Sequence, residues 1–224
     1  MSASRVTIFA GHYGSGKTNV AVNYALWLRF SHPKVMIADL DIVNPYFRTK
    51  DSAEKLQAAG IKLISSDTAN SNVDAPSVPG EINSIFDNTE WYSVIDVGGD
   101  DRGAYALGRY HEKFLQDSVS SFLVVNMYRP LSRDVEATLE IMREIETAAR
   151  LKFTGMINNS NLGPDTTPAD IINSIPYAEE ISRETKLPVV MTSVIRSLAA
   201  ELEASIPNLF PIDVEEYVWQ KSQK

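Results

Sequence analysis

The stretch best suited to chemistry is an eight-residue run near the start of the chain, Gly11-His12-Tyr13-Gly14-Ser15-Gly16-Lys17-Thr18. It fits the pattern G-x-x-x-x-G-K-[ST], in which backbone N–H groups surround phosphate oxygens. The lysine of this pattern reaches the β- and γ-phosphates, and the hydroxyl beside it ligates Mg²⁺. The run therefore predicts a phosphate-binding loop in which Lys17 is catalytic, Thr18 is a metal ligand and the next residue, Asn19, also contacts nucleotide.

The elements around this loop are those that the pattern requires. Residues 5–10 form an apolar run typical of a buried strand, and residues 19–28 have apolar side chains at helical spacing. Further strands are predicted at 34–39, 61–65, 91–97, 119–126, 152–158 and 187–191. Further helices are predicted at 52–59, 81–86, 104–116, 133–150, 168–186 and 198–204. This alternation predicts an α/β fold, a mainly parallel doubly wound sheet with helices on both faces, as in P-loop NTPases. We expect a single domain over residues 1–224, with a polar surface loop at 66–80.

Acidic residues follow two of these strands, at the edge of the sheet where a ligand is expected. Asp96 ends an apolar strand and stands in a Walker B position, where a carboxylate holds Mg²⁺. With Gly99 it fits D-x-x-G, in which the glycine N–H contacts a γ-phosphate. Asp39 and Asp41 form a D-x-D pair on an extended segment, so both side chains point the same way. We predict that Asp39 lies in the metal environment and that Asp41 orients the attacking water; the alternative is a turn-forming pair.

Three further polar residues are candidates. Asn159 ends a predicted strand on the far side of the sheet, and its amide can donate and accept, which suits a purine edge. The alternative is an asparagine that caps the next element. The guanine-reading pattern N-K-x-D is absent, which favours adenine over guanine. Arg102 and Arg129 follow strands near the phosphate side, where either would stabilise transition-state charge or form a structural ion pair.

Composition excludes several classes of function. The 224-residue chain contains no cysteine, which removes disulfides, cysteine-bound metals and iron–sulfur clusters held by this chain. The net charge is −8 without a basic block, so we expect no nucleic-acid partner. No apolar run approaches membrane-spanning length, and the first strand begins almost at once. We therefore expect a cytoplasmic protein without a membrane partner.

Together the motifs resemble the MinD/ParA/CobQ (SIMIBI) class of P-loop ATPases. The resemblance rests on the loop, on Asp39-Leu40-Asp41, on Val94-Ile95-Asp96-Val97-Gly98-Gly99 and on Gly155-Met156-Ile157-Asn158-Asn159-Ser160. It implies an ATPase that uses Mg²⁺, forms a nucleotide-dependent homodimer and controls a partner protein. It also implies that Lys17 and Thr18 contact phosphate and metal, that Asp41 acts on water and that Asn159 contacts adenine. His12 stands where the class usually has a second lysine, and a neutral imidazole does not supply that charge.

Three functions follow from these observations. The first is a Mg²⁺-dependent, slow ATPase that acts as a nucleotide-dependent switch or maturation factor for an unidentified partner protein. The second is a small-molecule kinase or an ATP-dependent ligase like the dethiobiotin and cobyrinate synthetases, with an acceptor held by the 66–80 loop. The third, suggested by His12, is a module that binds ATP without hydrolysing it.

Overall fold

An eight-stranded, fully parallel sheet forms the centre of the computed structural model, which describes residues 3–40, 53–64, 80–99 and 101–214. The strands are β1 Val6–Ala10, β2 Val35–Leu40, β3 Lys62–Ile64, β4 Tyr92–Val97, β5 Val119–Val125, β6 Gly155–Asn158, β7 Val189–Ile195 and β8 Leu209–Ile212. Their order across the sheet is β3-β2-β4-β1-β5-β6-β7-β8. The strand that precedes the glycine loop therefore lies between β4 and β5, near the middle of the sheet.

Helices cover both faces of this sheet. They are α1 Lys17–Ser31, α2 Ala53–Ala58, α3 Ser84–Asp87, α4 Asp101–Gly108, α5 His111–Phe114, α6 Val135–Ala149, α7 Pro168–Thr185 and α8 Ala199–Leu202. Successive side chains of a strand point to opposite faces. In β1, Phe9 accordingly packs with α1 and α2, whereas Ile8 packs in a second cluster with helices α3 to α7. The doubly wound α/β arrangement predicted from the sequence is confirmed.

Two elements differ most from the sequence prediction. Seven strands are predicted, but β8 adds an eighth that pairs with β7. Pro211 breaks the apolar run there, and proline is tolerated because β8 lies at the edge of the sheet. The helix predicted at 104–116 is two helices, α4 and α5. Gly108 is the last residue of α4, and a Cβ on it would lie 2.8 Å from the Ala148 carbonyl oxygen, so glycine is needed where α4 packs against α6.

Side-chain caps explain where the two long helices of this face begin. Asp134 precedes α6 and accepts a hydrogen bond from the backbone N–H of Ala137 at 2.9 Å. Thr167 precedes α7, and the Asp170 carboxylate accepts from the Thr167 backbone N–H at 2.8 Å in a capping box. The hydrogen bonds from Thr167 lower the pKa of Asp170 below its ordinary value.

None of the helices in the described ranges has both the length and the apolarity needed to cross a bilayer.

A largely buried ion pair fixes the beginning of β1. The Arg5 guanidinium pairs with Asp117 and also donates to the carbonyl oxygens of Ile85 at 2.8 Å and Trp91 at 3.2 Å. Burial lowers the pKa of Arg5 from its ordinary value. The pair therefore connects the strand before the glycine loop to the segments that precede β4 and β5.

Removing the acid of this pair is expected to destabilise the protein. We expect Asp117→Ala to lower the free energy of unfolding by about 3 kcal/mol, because Arg5 would be left as a largely buried, uncompensated charge. Glu90→Ala breaks the exposed pair with Lys34 and is expected to cost less than about 1 kcal/mol. Urea unfolding of both variants measures the difference, and equal losses would contradict the assignment.

Candidate functional site

The glycine loop joins β1 to α1 as a tight turn over residues 11–16. Gly14 and Gly16 have φ angles of +81° and +80°, a left-handed conformation that side chains disfavour. The Ser15 backbone N–H donates to the His12 carbonyl oxygen at 3.1 Å, which closes the turn. Lys17 then begins α1, and its side chain is only 5% exposed. The turn thus holds a lysine, largely shielded from water, at the N-terminus of a 15-residue helix.

The D-x-x-G glycine lies directly against this loop. A Cβ built on Gly99 would lie 2.6 Å from the Tyr13 backbone nitrogen and 3.0 Å from the Lys17 Nζ. Any residue larger than glycine would therefore displace the loop or the lysine. The structure brings Gly99 and Lys17 together, as their proposed contacts with one phosphate group require.

The predicted metal residues meet at the carboxyl ends of β2 and β4. The Thr18 hydroxyl donates to Asp96 Oδ2 at 2.6 Å. Asp39 is the register partner of Asp96 on the neighbouring strand, and the two residues are 5% and 0% exposed. A hydroxyl and two carboxylates are hard oxygen donors of the kind that Mg²⁺ prefers, so the residues present fit this metal. Asp41, the predicted water-orienting residue, lies outside the described residues.

Asn159 follows β6, on the opposite side of β1 from β2 and β4, and its side chain reaches the glycine loop. It is 1% exposed, and its Nδ2 donates to the Ser15 carbonyl oxygen at 2.6 Å. Its Oδ1 accepts from the Ser193 hydroxyl and from Asn161 Nδ2, the latter at 3.1 Å. One amide N–H and the amide oxygen are therefore engaged within the protein, and they hold the loop in position. A contact between Asn159 and adenine stays a prediction.

Sequence reasoning missed the partners that hold Asn159. Ser193 belongs to β7 and Asn161 to the turn after β6, and neither stands in a recognised motif. The sequence signal for these contacts is the polar run Asn158-Asn159-Ser160-Asn161, which stands at the end of an apolar strand. Buried polar side chains need hydrogen-bond partners, so such a run indicates a local hydrogen-bond network. All four residues are at most 9% exposed.

The other predicted nucleotide contacts lie in or beside the loop. Gly11 packs against β5, where a side chain would overlap the Val124 carbonyl oxygen. His12 is partly exposed with its Nδ1 3.0 Å from the Tyr13 carbonyl oxygen, and the Tyr13 side chain is 51% exposed. Asn19 lies in the first turn of α1. The structure does not describe the side chain of Arg102.

Substitution of Asn159 separates its two possible roles. We expect Asn159→Ala to lower the free energy of unfolding by about 2 kcal/mol, because buried polar groups of Ser15 and Ser193 lose their partner. If Asn159 positions the loop, affinity for ATP and GTP falls by the same factor, and a loss confined to ATP would instead indicate adenine recognition. Calorimetric titration with both nucleotides distinguishes these results. Asn88→Ala is the control, because Asn88 donates to the Ser84 carbonyl oxygen in a helix away from the loop.

Comparison with solved structures identifies the fold. FtsY of Thermotoga maritima matches with a TM-score of 0.59 at 17% identity, over 86% of this chain and 62% of that one. The signal recognition particle receptor FtsY of Elizabethkingia anophelis, in complex with GDP, matches with a TM-score of 0.53 at 14% identity, over 87% and 58%. The protein thus spans about 60% of the length of these FtsY chains. No protein-family model and no curated protein matches the sequence.

A smaller structure matches over nearly its whole length. A nucleotide-binding protein from Archaeoglobus fulgidus, in complex with ADP, has a TM-score of 0.53 at 16% identity, over 91% of this chain and 90% of that one. Identities this low define the fold alone. FtsY belongs to the SIMIBI class of P-loop NTPases, whereas the narrower resemblance to MinD and ParA stays a hypothesis. With its parallel sheet, its two helical layers and its glycine loop, the protein has the α/β fold of the P-loop NTPases.

Proposed function

We propose that the protein is a Mg²⁺-dependent ATP-binding protein and a slow ATPase, whose nucleotide state acts as a switch for a partner protein. The observation that carries this proposal is that four predicted site residues lie together at the start of α1. Lys17 is shielded from water beside Gly99, and Thr18 bonds to the buried Asp96. An ammonium, a hydroxyl and a carboxylate in this order suit a nucleoside triphosphate with its metal ion.

In the proposed reaction a water molecule attacks the γ-phosphorus in line with the bond to the β–γ bridging oxygen. That bond breaks, ADP and inorganic phosphate leave, and the proton of the water passes to phosphate or solvent. Lys17 binds the phosphate oxygens and neutralises their charge. Thr18, Asp96 and Asp39 would hold Mg²⁺, which neutralises phosphate charge when bound. Asp41 is proposed to orient the water.

The choice of ATP rests on the sequence, which lacks the guanine-reading pattern N-K-x-D. The structural neighbours include complexes with both ADP and GDP, so fold likeness does not favour one base. The homodimer and the partner protein rest on the resemblance to the MinD/ParA/CobQ class. His12 stands where the MinD/ParA/CobQ class usually has a second lysine, so the loop lacks that positive charge. We therefore expect the protein alone to hydrolyse ATP slowly, at less than about 1 s⁻¹.

Binding and hydrolysis of ATP and GTP, with and without Mg²⁺, test the proposal. We expect ATP-selective binding and slow turnover that Lys17→Ala lowers by about 10² to 10³-fold. Lys62→Ala is the matched control, since Lys62 is exposed on the edge strand β3. Size exclusion of the same samples, with and without ATP, tests the dimer.

The other outcomes identify the competing functions. Tight binding with intact ATP after long incubation would indicate a non-hydrolysing module. ADP release that depends on an added metabolite would indicate a kinase or synthetase. Absence of binding to either nucleotide would overturn the proposal.

A further inference from the structure

Arg129 lies across the glycine loop from the side of β5. It follows β5 by four residues, and its side chain passes over Gly14. A Cβ built on Gly14 would lie 3.6 Å from Arg129 Cδ and 3.7 Å from its Nε. These are ordinary van der Waals distances, so the stem of the arginine rests on the turn that encloses the phosphate site.

The guanidinium of Arg129 lacks a partner within the part of the chain that the structure describes. Its Nε is shielded from solvent and has no hydrogen-bond acceptor there. Among the same residues, no carboxylate forms an ion pair with it. The Nε of Arg29 is in the same state, but Arg29 lies in the last turn of α1, at the opposite end of that helix from the glycine loop. A buried donor without an acceptor is rare in a native structure and costs stability, which suggests that a ligand completes this site.

The backbone that carries Arg129 is held in a fixed turn. Its N–H donates to the Asn126 carbonyl oxygen at 3.2 Å, and the Ser132 N–H donates to the Arg129 carbonyl oxygen at 3.1 Å. The Tyr177 hydroxyl donates to the Ser132 carbonyl oxygen at 2.8 Å. Burial raises the pKa of Tyr177 to about 12, so this hydroxyl keeps its proton at any physiological pH. The turn therefore presents the arginine without a required rearrangement.

The chemistry of the group defines the ligand. A guanidinium offers planar N–H donors that match phosphate oxygens, and it carries its charge at every relevant pH. We propose that Arg129 binds the phosphate chain of the nucleotide and supplies a second positive charge from the same chain that carries Lys17. This inference rests on the proposed function and adds a phosphate ligand that does not depend on a second subunit.

Two substitutions of Arg129 separate its charge from its stem. Arg129→Met keeps an unbranched apolar side chain on Gly14 and removes the charge. Arg129→Lys retains a positive charge but lacks the planar N–H donors of the guanidinium. Arg133→Met is the matched control, because Arg133 is 77% exposed and lies four residues further along the chain. Calorimetric titration of each variant with ATP, ADP and adenosine, in Mg²⁺ at two salt concentrations, measures the contribution to phosphate binding.

We expect Arg129→Met to weaken ATP and ADP binding by about 10- to 100-fold, with adenosine affinity within about twofold of wild type. Arg129→Lys should recover part of the loss, and Arg133→Met should bind as wild type. The thermal midpoint of Arg129→Met without nucleotide should equal or exceed that of wild type, because an unpaired buried donor is removed. A lowered midpoint with equal loss for ATP and adenosine would show a structural role and overturn the inference.

Failure of this inference differs from failure of the proposed function. Wild-type affinity for ATP in Arg129→Met, together with a loss in Lys17→Ala, would overturn the role of Arg129 and leave the proposed function intact. Absence of nucleotide binding by the wild-type protein would overturn both.

Discussion

Alanine at position 16 is expected to weaken nucleotide binding by at least about 100-fold, whereas alanine at position 163 is expected to leave it unchanged. Both glycines have positive φ angles, +80° and +66°, so both substitutions impose a backbone strain of about 1–2 kcal/mol. They differ in their surroundings. A side chain on Gly16 would overlap Asn159 Nδ2, whereas none of the described residues lies within 4 Å of one on Gly163.

The collision at position 16 is costly because Asn159 is buried and hydrogen-bonded at both ends of its amide. Its amide holds the Ser15 carbonyl oxygen, and Ser193 and Asn161 hold its other end in the protein interior. Displacing it breaks buried hydrogen bonds at about 1–3 kcal/mol and moves the loop backbone.

Calorimetric titration and urea unfolding of Gly16→Ala and Gly163→Ala separate the two effects. We expect Gly163→Ala to lose only the strain, about 1 kcal/mol of unfolding free energy, and Gly16→Ala to lose about 3 kcal/mol together with nucleotide affinity. Equal losses in the two variants would mean that backbone strain alone determines the result. Normal affinity in Gly16→Ala would show that the contact between the loop and Asn159 does not shape the phosphate site.

Replacement of Asp96 by asparagine is expected to lower Mg²⁺-dependent turnover by about 10- to 100-fold and to shift the Mg²⁺ requirement to higher concentration. Asparagine keeps the shape of the side chain and removes the negative charge beside the Thr18 hydroxyl, at 2.6 Å. Nucleotide affinity without Mg²⁺ should change little, because the proposed role of Asp96 acts through the metal environment.

Two comparisons make this second prediction decisive. Asp165→Asn removes the charge of an exposed aspartate outside the site and should behave as wild type. Unfolding without Mg²⁺ should show no loss of stability in Asp96→Asn, because a fully buried carboxylate is costly to desolvate. A wild-type Mg²⁺ titration in Asp96→Asn would contradict the assignment of the metal site.

The sequence by itself determined the glycine loop, predicted to bind phosphate, and the class of fold. The loop is contiguous, so its glycines, Lys17 and Thr18 are recognisable without knowledge of distant residues. The apolar runs that alternate with helical segments predict a parallel sheet, since only crossover connections bring such strands side by side. Asp96 follows from the same logic, because a polar residue at the end of a buried strand lies at the ligand edge of the sheet.

Only the tertiary structure decided which distant residues complete the site. Asn159 meets Ser15 across 144 positions of sequence, and it meets Ser193 across 34. These contacts depend on strand order and register, which local patterns do not encode. The position of Arg129 on Gly14 has the same cause, because β5 happens to lie beside β1. β8 was missed because it contains a proline, and proline is compatible with a strand only at the edge of a sheet. Which strand lies at the edge is known only from the assembled sheet.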